Sequence, residues 1–417
     1  MSRPNIYKHL PLLLLNLSFG LISLLWLLTI PYNHAPDEYA HFEFNVLFMV
    51  ENGRLPVSGI DDARATEIGI GTYVPFPAIN YVIAAAIASP LNSLFKLPLY
   101  LGGRLASWLF GLLFVNLLFF GVNRILRDPL YSAILCVCFS HLPQVIFISS
   151  YINQDVHALA ISALLGLSVV WLYQKKGRKA DILFFFAFGL LFSAKYNYFV
   201  YALVLPLVAL HLVISGRYRT SELLTTAGFG VLGALSLSGF WFVRNYSLYG
   251  EVLGVKMAVK SNRFLRPQPV NLVGLKSLYD RGMLNWSFKS FIGIFDYLNL
   301  HLPWIWYKIC AVFLGSSLVL FFVRIWKQRN SQLWMATGGV ALVSALLWTQ
   351  HTISCLTLDF QPQGRYHFPI LVPAALLLAL ASRTDPWIRN LTRTAAGAVM
   401  ILLLRCTWLI YHAYPHG

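Results

Sequence analysis

The residues able to do chemistry fall in short polar breaks of an otherwise apolar chain. The first reads Pro36-Asp37-Glu38-Tyr39-Ala40-His41-Phe42-Glu43. A proline ahead of two acids, then an apolar stretch closed by Asn52-Gly53, carries the start and stop signals of a short amphipathic helix. At helical spacing Asp37 and His41 share one face. A carboxylate pair there suits a general base for a hydroxyl, or with His41 a divalent metal site. The competing reading is helix capping by Asp37 and Glu38.

The second break is Asn153-Gln154-Asp155, followed by His157. Asp155 there either caps the next helix or, beside Asn153, holds a donor phosphate or metal or polarises a hydroxyl. Glu38, His41 and Asp155 are the candidate ligands for Mg or Mn; carboxylates and one imidazole do not choose between such metals. Lys195, in Ser193-Ala194-Lys195-Tyr196-Asn197, follows about 13 apolar residues, or roughly 20 Å of helix. An ammonium at that depth faces a polar cavity and suits an anion, unless it snorkels to the interface. Arg244-Asn245, followed by Tyr249-Gly250-Glu251, and Gln363-Gly364-Arg365-Tyr366-His367-Phe368-Pro369 complete the set. Guanidinium forks near Lys195 would cradle a phosphate, with Tyr366 alongside; the alternative for each arginine is an interfacial anchor beside Tyr or Trp.

The elements that position these residues are membrane spans. Of the 417 residues, 58% are hydrophobic and 12% charged, whereas a soluble domain carries about a quarter charged. The net charge of +16 does not imply nucleic acid, because the basic residues cluster between apolar runs as the positive-inside rule requires. The five cysteines lack metal-ligand spacing. Arg3 and Lys8 precede an apolar run with no small-residue cleavage site, which predicts an uncleaved first span.

Windows of about 20 apolar residues predict about eleven spans: Leu10 to Ile30, Leu101 to Val122, Leu130 to Ile152, Val156 to Tyr173, a hairpin over 182–215, Leu223 to Val243, Trp304 to Val323, Leu333 to Cys355, Phe368 to Ala381 and Ala395 to Tyr411. Val74 to Leu97, broken by Pro75, Pro77 and Pro90, is an interfacial or partial span. The whole of 1–417 reads as one membrane domain, with a first external loop over 31–73 and a long one over 244–303. Half of the 32 basic residues fall in Arg3/Lys8, Arg124/Arg127, Lys175/Lys176/Arg178/Lys179, Arg217/Arg219, Arg324/Lys327/Arg329 and Arg383/Arg389/Arg393. Of the 16 acids, only Asp128, Asp181, Glu222 and Asp385 share that side. The N-terminus is therefore inside, and every polar break described above is outside.

The set Pro-Asp-Glu-Tyr-Ala-His, Asn-Gln-Asp, Ala-Lys-Tyr, Arg-Asn-x-x-x-Tyr-Gly and Gln-Gly-Arg-Tyr-x-Phe-Pro, running from Pro36 to Pro369, resembles the GT-C superfamily. These are polyprenyl-phosphate-sugar-dependent glycosyltransferases, including protein O-mannosyltransferases and the lipid A aminoarabinose transferase. The resemblance is especially close to a bacterial branch of multi-pass proteins. It implies an all-α GT-C fold, Asp37 as catalytic base with Glu38 following it, Asp155 organising donor or metal, and Lys195, Arg244 and Arg365 on the lipid phosphate. The chain departs from related enzymes at Val74-Pro75-Phe76-Pro77, where they often carry His-Pro-Pro or Lys-Pro-Pro.

The resulting expectation is an enzyme of a bacterial inner membrane, active on its outer face. It would pass a hexosyl or pentosyl group, with inversion, from a polyprenyl-phosphate carrier to a glycan or lipid-linked acceptor. Two other classes compete. A transporter or flippase of lipid-linked sugars predicts polar residues through both leaflets, whereas the spans are apolar on the inner half. A polysaccharide polymerase or ligase would use the 244–303 loop.

Overall fold

The structure is a computed structural model that describes residues 9–68, 70–174, 177–261 and 272–414. Arg3, Lys8, Lys175 and Lys176, counted above among the inner caps, lie outside these residues. Among the described residues the strands are confined to one pair, Ile294–Phe295 antiparallel to Leu300–His301. Everything else of regular structure is helical, as lipid demands, because only there are all backbone groups paired within one segment.

Eight described helices are long and apolar enough to cross a bilayer: Leu10–Thr29, Leu99–Leu126, Asp155–Gln174, Tyr196–Ile214, Trp304–Gln328, Ser331–Thr357, Gly364–Thr384 and Pro386–Ala413. A ninth is added if Thr220–Leu237 and Gly239–Tyr249, bent by 50°, form one span. The other expected spans are present as shorter apolar helices. The run from Leu130 breaks into Pro129–Ser140 and Pro143–Ile148, because Leu142 must be extended ahead of a proline. Val74 to Leu97 contains the 17-residue helix Ile79–Phe95, and the first arm of the 182–215 hairpin is Arg178–Leu191, of 14 residues.

Burial ranks the spans. Asp155–Gln174 is the most enclosed, with 67% of its apolar window buried, whereas Trp304–Gln328 has 6% and faces outward. The residue that opens the innermost helix is therefore Asp155. Small residues let neighbours approach closely: Arg178–Leu191 packs on Thr220–Leu237, where a Cβ on Gly233 would lie 2.1 Å from the Phe185 carbonyl oxygen. At the end of the bundle reached by Gln174, arginines and acids pair, with Arg324 Nε 3.1 Å from Asp385 and Arg389 Nη1 3.6 Å from Asp128. The opposite end carries the remaining polar breaks.

The first loop folds as expected into Glu38–His41, a π-helical turn Phe42–Leu47 and Phe48–Asn52, closed by Gly53 at φ 63. The 244–303 segment holds the end of Gly239–Tyr249, then Val255–Ser261, Leu272–Asp280 and Met283–Gly293.

Candidate active site

Four charged side chains from four separate breaks meet as an alternating chain. Arg365 Nη2 donates to Asp37 Oδ2 at 2.9 Å. Its Nη1 lies 3.6 Å from Asp155 Oδ2 and donates to the Tyr151 hydroxyl at 3.0 Å. Lys195 Nζ donates to Asp155 Oδ1 and Oδ2 at 2.9 and 3.1 Å and stands 4.9 Å above the Tyr366 ring. Asp37 is the open member, with its side chain 38% exposed, while that of Asp155 is 2% exposed. The buried acid thus fixes both cations, and the exposed acid is left to meet a ligand.

The local backbone explains each position. Asp37 sits at φ 65, ψ 4 and its side chain caps no helix. A left-handed aspartate costs about 1–2 kcal/mol, offset here by the ion pair that this conformation permits. Helix capping is therefore not what this carboxylate does. The cap ahead of Asp155–Gln174 is supplied instead by Asn153, whose Oδ1 accepts from the amides of Asp155 and Val156 at 2.8 and 3.1 Å. Its Nδ2 donates to the carbonyls of Ile148 and Tyr151 at 2.5 and 2.8 Å. With the cap made by its neighbour, the Asp155 carboxylate is free for Lys195 and Arg365. Arg365 is positioned by Gly364, whose amide donates to Ser290 Oγ at 2.7 Å; a Cβ there would fall 2.2 Å from the Phe291 nitrogen.

Glu38, adjacent to Asp37, is fully buried and turned away. Arg104 Nε and Nη2 donate to its two oxygens at 2.6 and 2.7 Å. The same guanidinium donates to the carbonyls of Leu27, Ile30 and Pro31 at 2.9, 2.6 and 3.0 Å. These include carbonyls left over at the end of the first span. Glu38 and Arg104 therefore weld the loop to that span, and Glu38 has no oxygen left for a substrate. Arg104 was not singled out from sequence; its signal was a lone charge inside an apolar run, which requires a partner.

His41 lies behind Asp37, hydrogen-bonded through Nδ1 to the Tyr81 hydroxyl and packed 4.0 Å from the Tyr73 ring. Burial pushes its imidazole down to about 3, so it is neutral near pH 7. Burial also pushes the Asp37 carboxyl up, but the Arg365 guanidinium and hydrogen bonds from Arg365 and Tyr73 more than reverse this, leaving it below its ordinary 3.8. Given the partial exposure of Asp37, burial acts weakly there and the lowered direction stands. Burial draws the Lys195 ammonium below its usual range, with Asp155 opposing the drop.

Arg244 stands apart from the cluster. Its Nη2 donates to the Pro56 carbonyl at 2.6 Å and its guanidinium lies 5.0 Å from the Trp241 ring, which ties the two external loops together. A divalent ion does not fit the proposed ligands. Glu38 is taken by Arg104, His41 by Tyr81 and Asp155 by Lys195, and no group of three such residues forms among those described. Beside Lys195 opens a cavity of about 180 Å³, lined by Gln154, Gln350, His351 and Ser354 and by the rings of Tyr73, Phe76, Tyr196 and Tyr366.

Residues 57–374 match a family model, DUF2142, described as a predicted membrane protein. The chain belongs to that family. No curated protein matches it in sequence. Its structure is similar to the crystal structure of ArnT from Cupriavidus metallidurans bound to undecaprenyl phosphate, with TM-score 0.53 and 14% identity, over 91% of this chain and 62% of that one. The apo state of the same protein gives TM-score 0.53 and 14% identity over 90% and 60%. The apo oligosaccharyltransferase of Archaeoglobus fulgidus gives 0.48 and 12% over 97% and 56%. The chain thus spans about three fifths of the length of ArnT, and the fold is the GT-C membrane fold expected from the motifs.

Proposed function

We propose that this chain is a GT-C glycosyltransferase that uses a polyprenyl-phosphate-linked sugar as donor. The observation that carries the reading is the pairing of the exposed, left-handed Asp37 with Arg365 in a fold shared with a protein solved on undecaprenyl phosphate. Asp37 takes the proton of the acceptor hydroxyl as its oxygen attacks the anomeric carbon. The bond from that carbon to the phosphate oxygen breaks, and the polyprenyl phosphate leaves with one more negative charge. Arg365 and Lys195 receive that charge, the interaction that grows most in the transition state. In-line displacement of this kind inverts the anomeric centre.

Asp155, Tyr151 and Asn153 hold the two cations and the helix end, and Glu38 acts only through Arg104. The sugar is a hexose or pentose, the acceptor a glycan or lipid-linked saccharide. By the positive-inside rule the site faces outward from a bacterial inner membrane.

The test is direct. Purified protein in nanodiscs receives polyprenyl-phosphate-hexose or -pentose with saccharide acceptors, and release of polyprenyl phosphate is followed together with glycosylated product. Transfer supports the reading. Movement of intact donor across a vesicle bilayer without cleavage would replace it with transport.

A further inference from the structure

A second cavity, larger than the one beside Lys195, lies away from the charged cluster. It has a volume of about 670 Å³ and runs between Asp155–Gln174, Tyr196–Ile214, Ser331–Thr357 and Gly364–Thr384. Its walls are apolar, from Leu165, Val169, Val204, Val208, Leu376 and Leu380 among others. Its two arginines, Arg217 and Arg383, line it together with Gln174, His211 and Gln332, toward the helix ends opposite the site. It shares no lining residue with the cavity beside Lys195. At its upper end the Tyr201 hydroxyl donates to the Pro369 carbonyl, and Asn197 Nδ2 donates to the Tyr366 carbonyl at 3.1 Å just above.

We propose that this cavity binds one anionic phospholipid from the leaflet opposite the charged site. The acyl chain lies between the four helices, and the phosphate sits at Arg217 and Arg383. Charge placement chooses this occupant. Both arginines are exposed and neither pairs with a carboxylate of a described residue; Arg217 Nη1 donates to the Tyr173 carbonyl at 3.0 Å and leaves the rest of its fork open. A polyprenyl tail descending from the site would end in hydrocarbon against two guanidinium groups. A phospholipid entering from the other leaflet puts phosphate there and hydrocarbon inside, the pattern of headgroup pockets between membrane helices. Room for the chain comes partly from Gly338 and Gly339, where an added Cβ would meet nothing within 4 Å.

Native mass spectrometry of the full-length protein, titrated with phosphatidylglycerol or phosphatidylcholine, tests this. The wild type retains one phosphatidylglycerol in preference to phosphatidylcholine. Arg217→Gln combined with Arg383→Gln lowers that affinity roughly thirtyfold. Gly339→Leu, which fills the groove from a position open to a side chain, removes binding with both arginines intact. Equal retention of both lipids by the wild type overturns the proposal, as does phosphatidylglycerol binding indifferent to the arginines. One-for-one displacement by polyprenyl phosphate also overturns it, since the cavity would then belong to the donor tail.

Discussion

Asp37 and Arg365, separated by 328 positions in sequence, are joined at 2.9 Å between Oδ2 and Nη2. The same guanidinium reaches Asp155, and Asp155 holds Lys195. Two acids and two bases therefore neutralise one another without ligand. In the proposed reaction an arriving phosphate competes with Asp37 for Arg365, and its binding frees the base to act.

Competition of this kind has a measurable sign. Asp37→Asn removes a carboxylate that competes for Arg365, so it should bind polyprenyl phosphate more tightly than the wild type, by up to about fivefold for a partly exposed ion pair. Titration of undecaprenyl phosphate against both proteins in detergent checks this. Weaker binding by the variant would mean that Asp37 helps to hold the phosphate.

The pH dependence follows from the same pair. Arg365 holds the Asp37 carboxyl below its ordinary 3.8, so the carboxylate persists until pH falls below that value. The kcat/KM for transfer, which reports the unliganded enzyme in which Arg365 still holds Asp37, should thus be insensitive to Asp37 protonation across the neutral range, with its acid limb below the usual carboxylate range. Arg365→Gln should move the limb upward, because the cation that favours the charged carboxylate is gone, and should lower the rate at every pH. An unshifted limb in the residual activity of that variant would detach Asp37 from it.

Glu38 and Arg104 form a buried bidentate pair. Glu38→Gln leaves a guanidinium without its counter-charge, a loss of about 3–5 kcal/mol visible as a lower melting temperature in detergent. Glu38→Leu with Arg104→Met recovers part of this, short of the bonds to Leu27, Ile30 and Pro31. Activity in these variants should follow the folded fraction. A folded Glu38→Gln protein with unchanged melting but no transfer would make Glu38 a reacting group.

Gly364→Ala tests the support beneath Arg365. The new Cβ would meet the Phe291 nitrogen at 2.2 Å, a backbone contact that cannot swing aside, so the turn carrying Arg365 must move. Displacement of about 1 Å costs on the order of a hundredfold in rate, with the loss mainly in kcat. Retention of full kcat would show that the Gly364 contact does not position the guanidinium.

Much of this was legible in the sequence because hydropathy and charge fix membrane topology. The polar breaks at Asp37, Asp155, Lys195 and Arg365 were assigned to one face, and they do share one end of the bundle. What sequence could not supply is which side chain answers which. Asn153 and Asp155 are equivalent as cap candidates until the backbone selects Asn153. Glu38 and Asp37 are neighbours of like charge, yet the left-handed turn at Asp37 sends them to different cations. Arg244 shares the face but is held by Pro56. The count of about eleven spans is not confirmed where proline interrupts an apolar run, since composition alone does not register the break at Leu142-Pro143.

The central claim is that the exposed carboxylate of Asp37 removes the acceptor proton. Single-turnover transfer from polyprenyl-phosphate-sugar, with donor occupancy measured in the same samples, tests it for the wild type and Asp37→Asn. The account predicts full occupancy in both and a rate lower by roughly 10²–10⁴ in the variant. Equal rates at equal occupancy would contradict it.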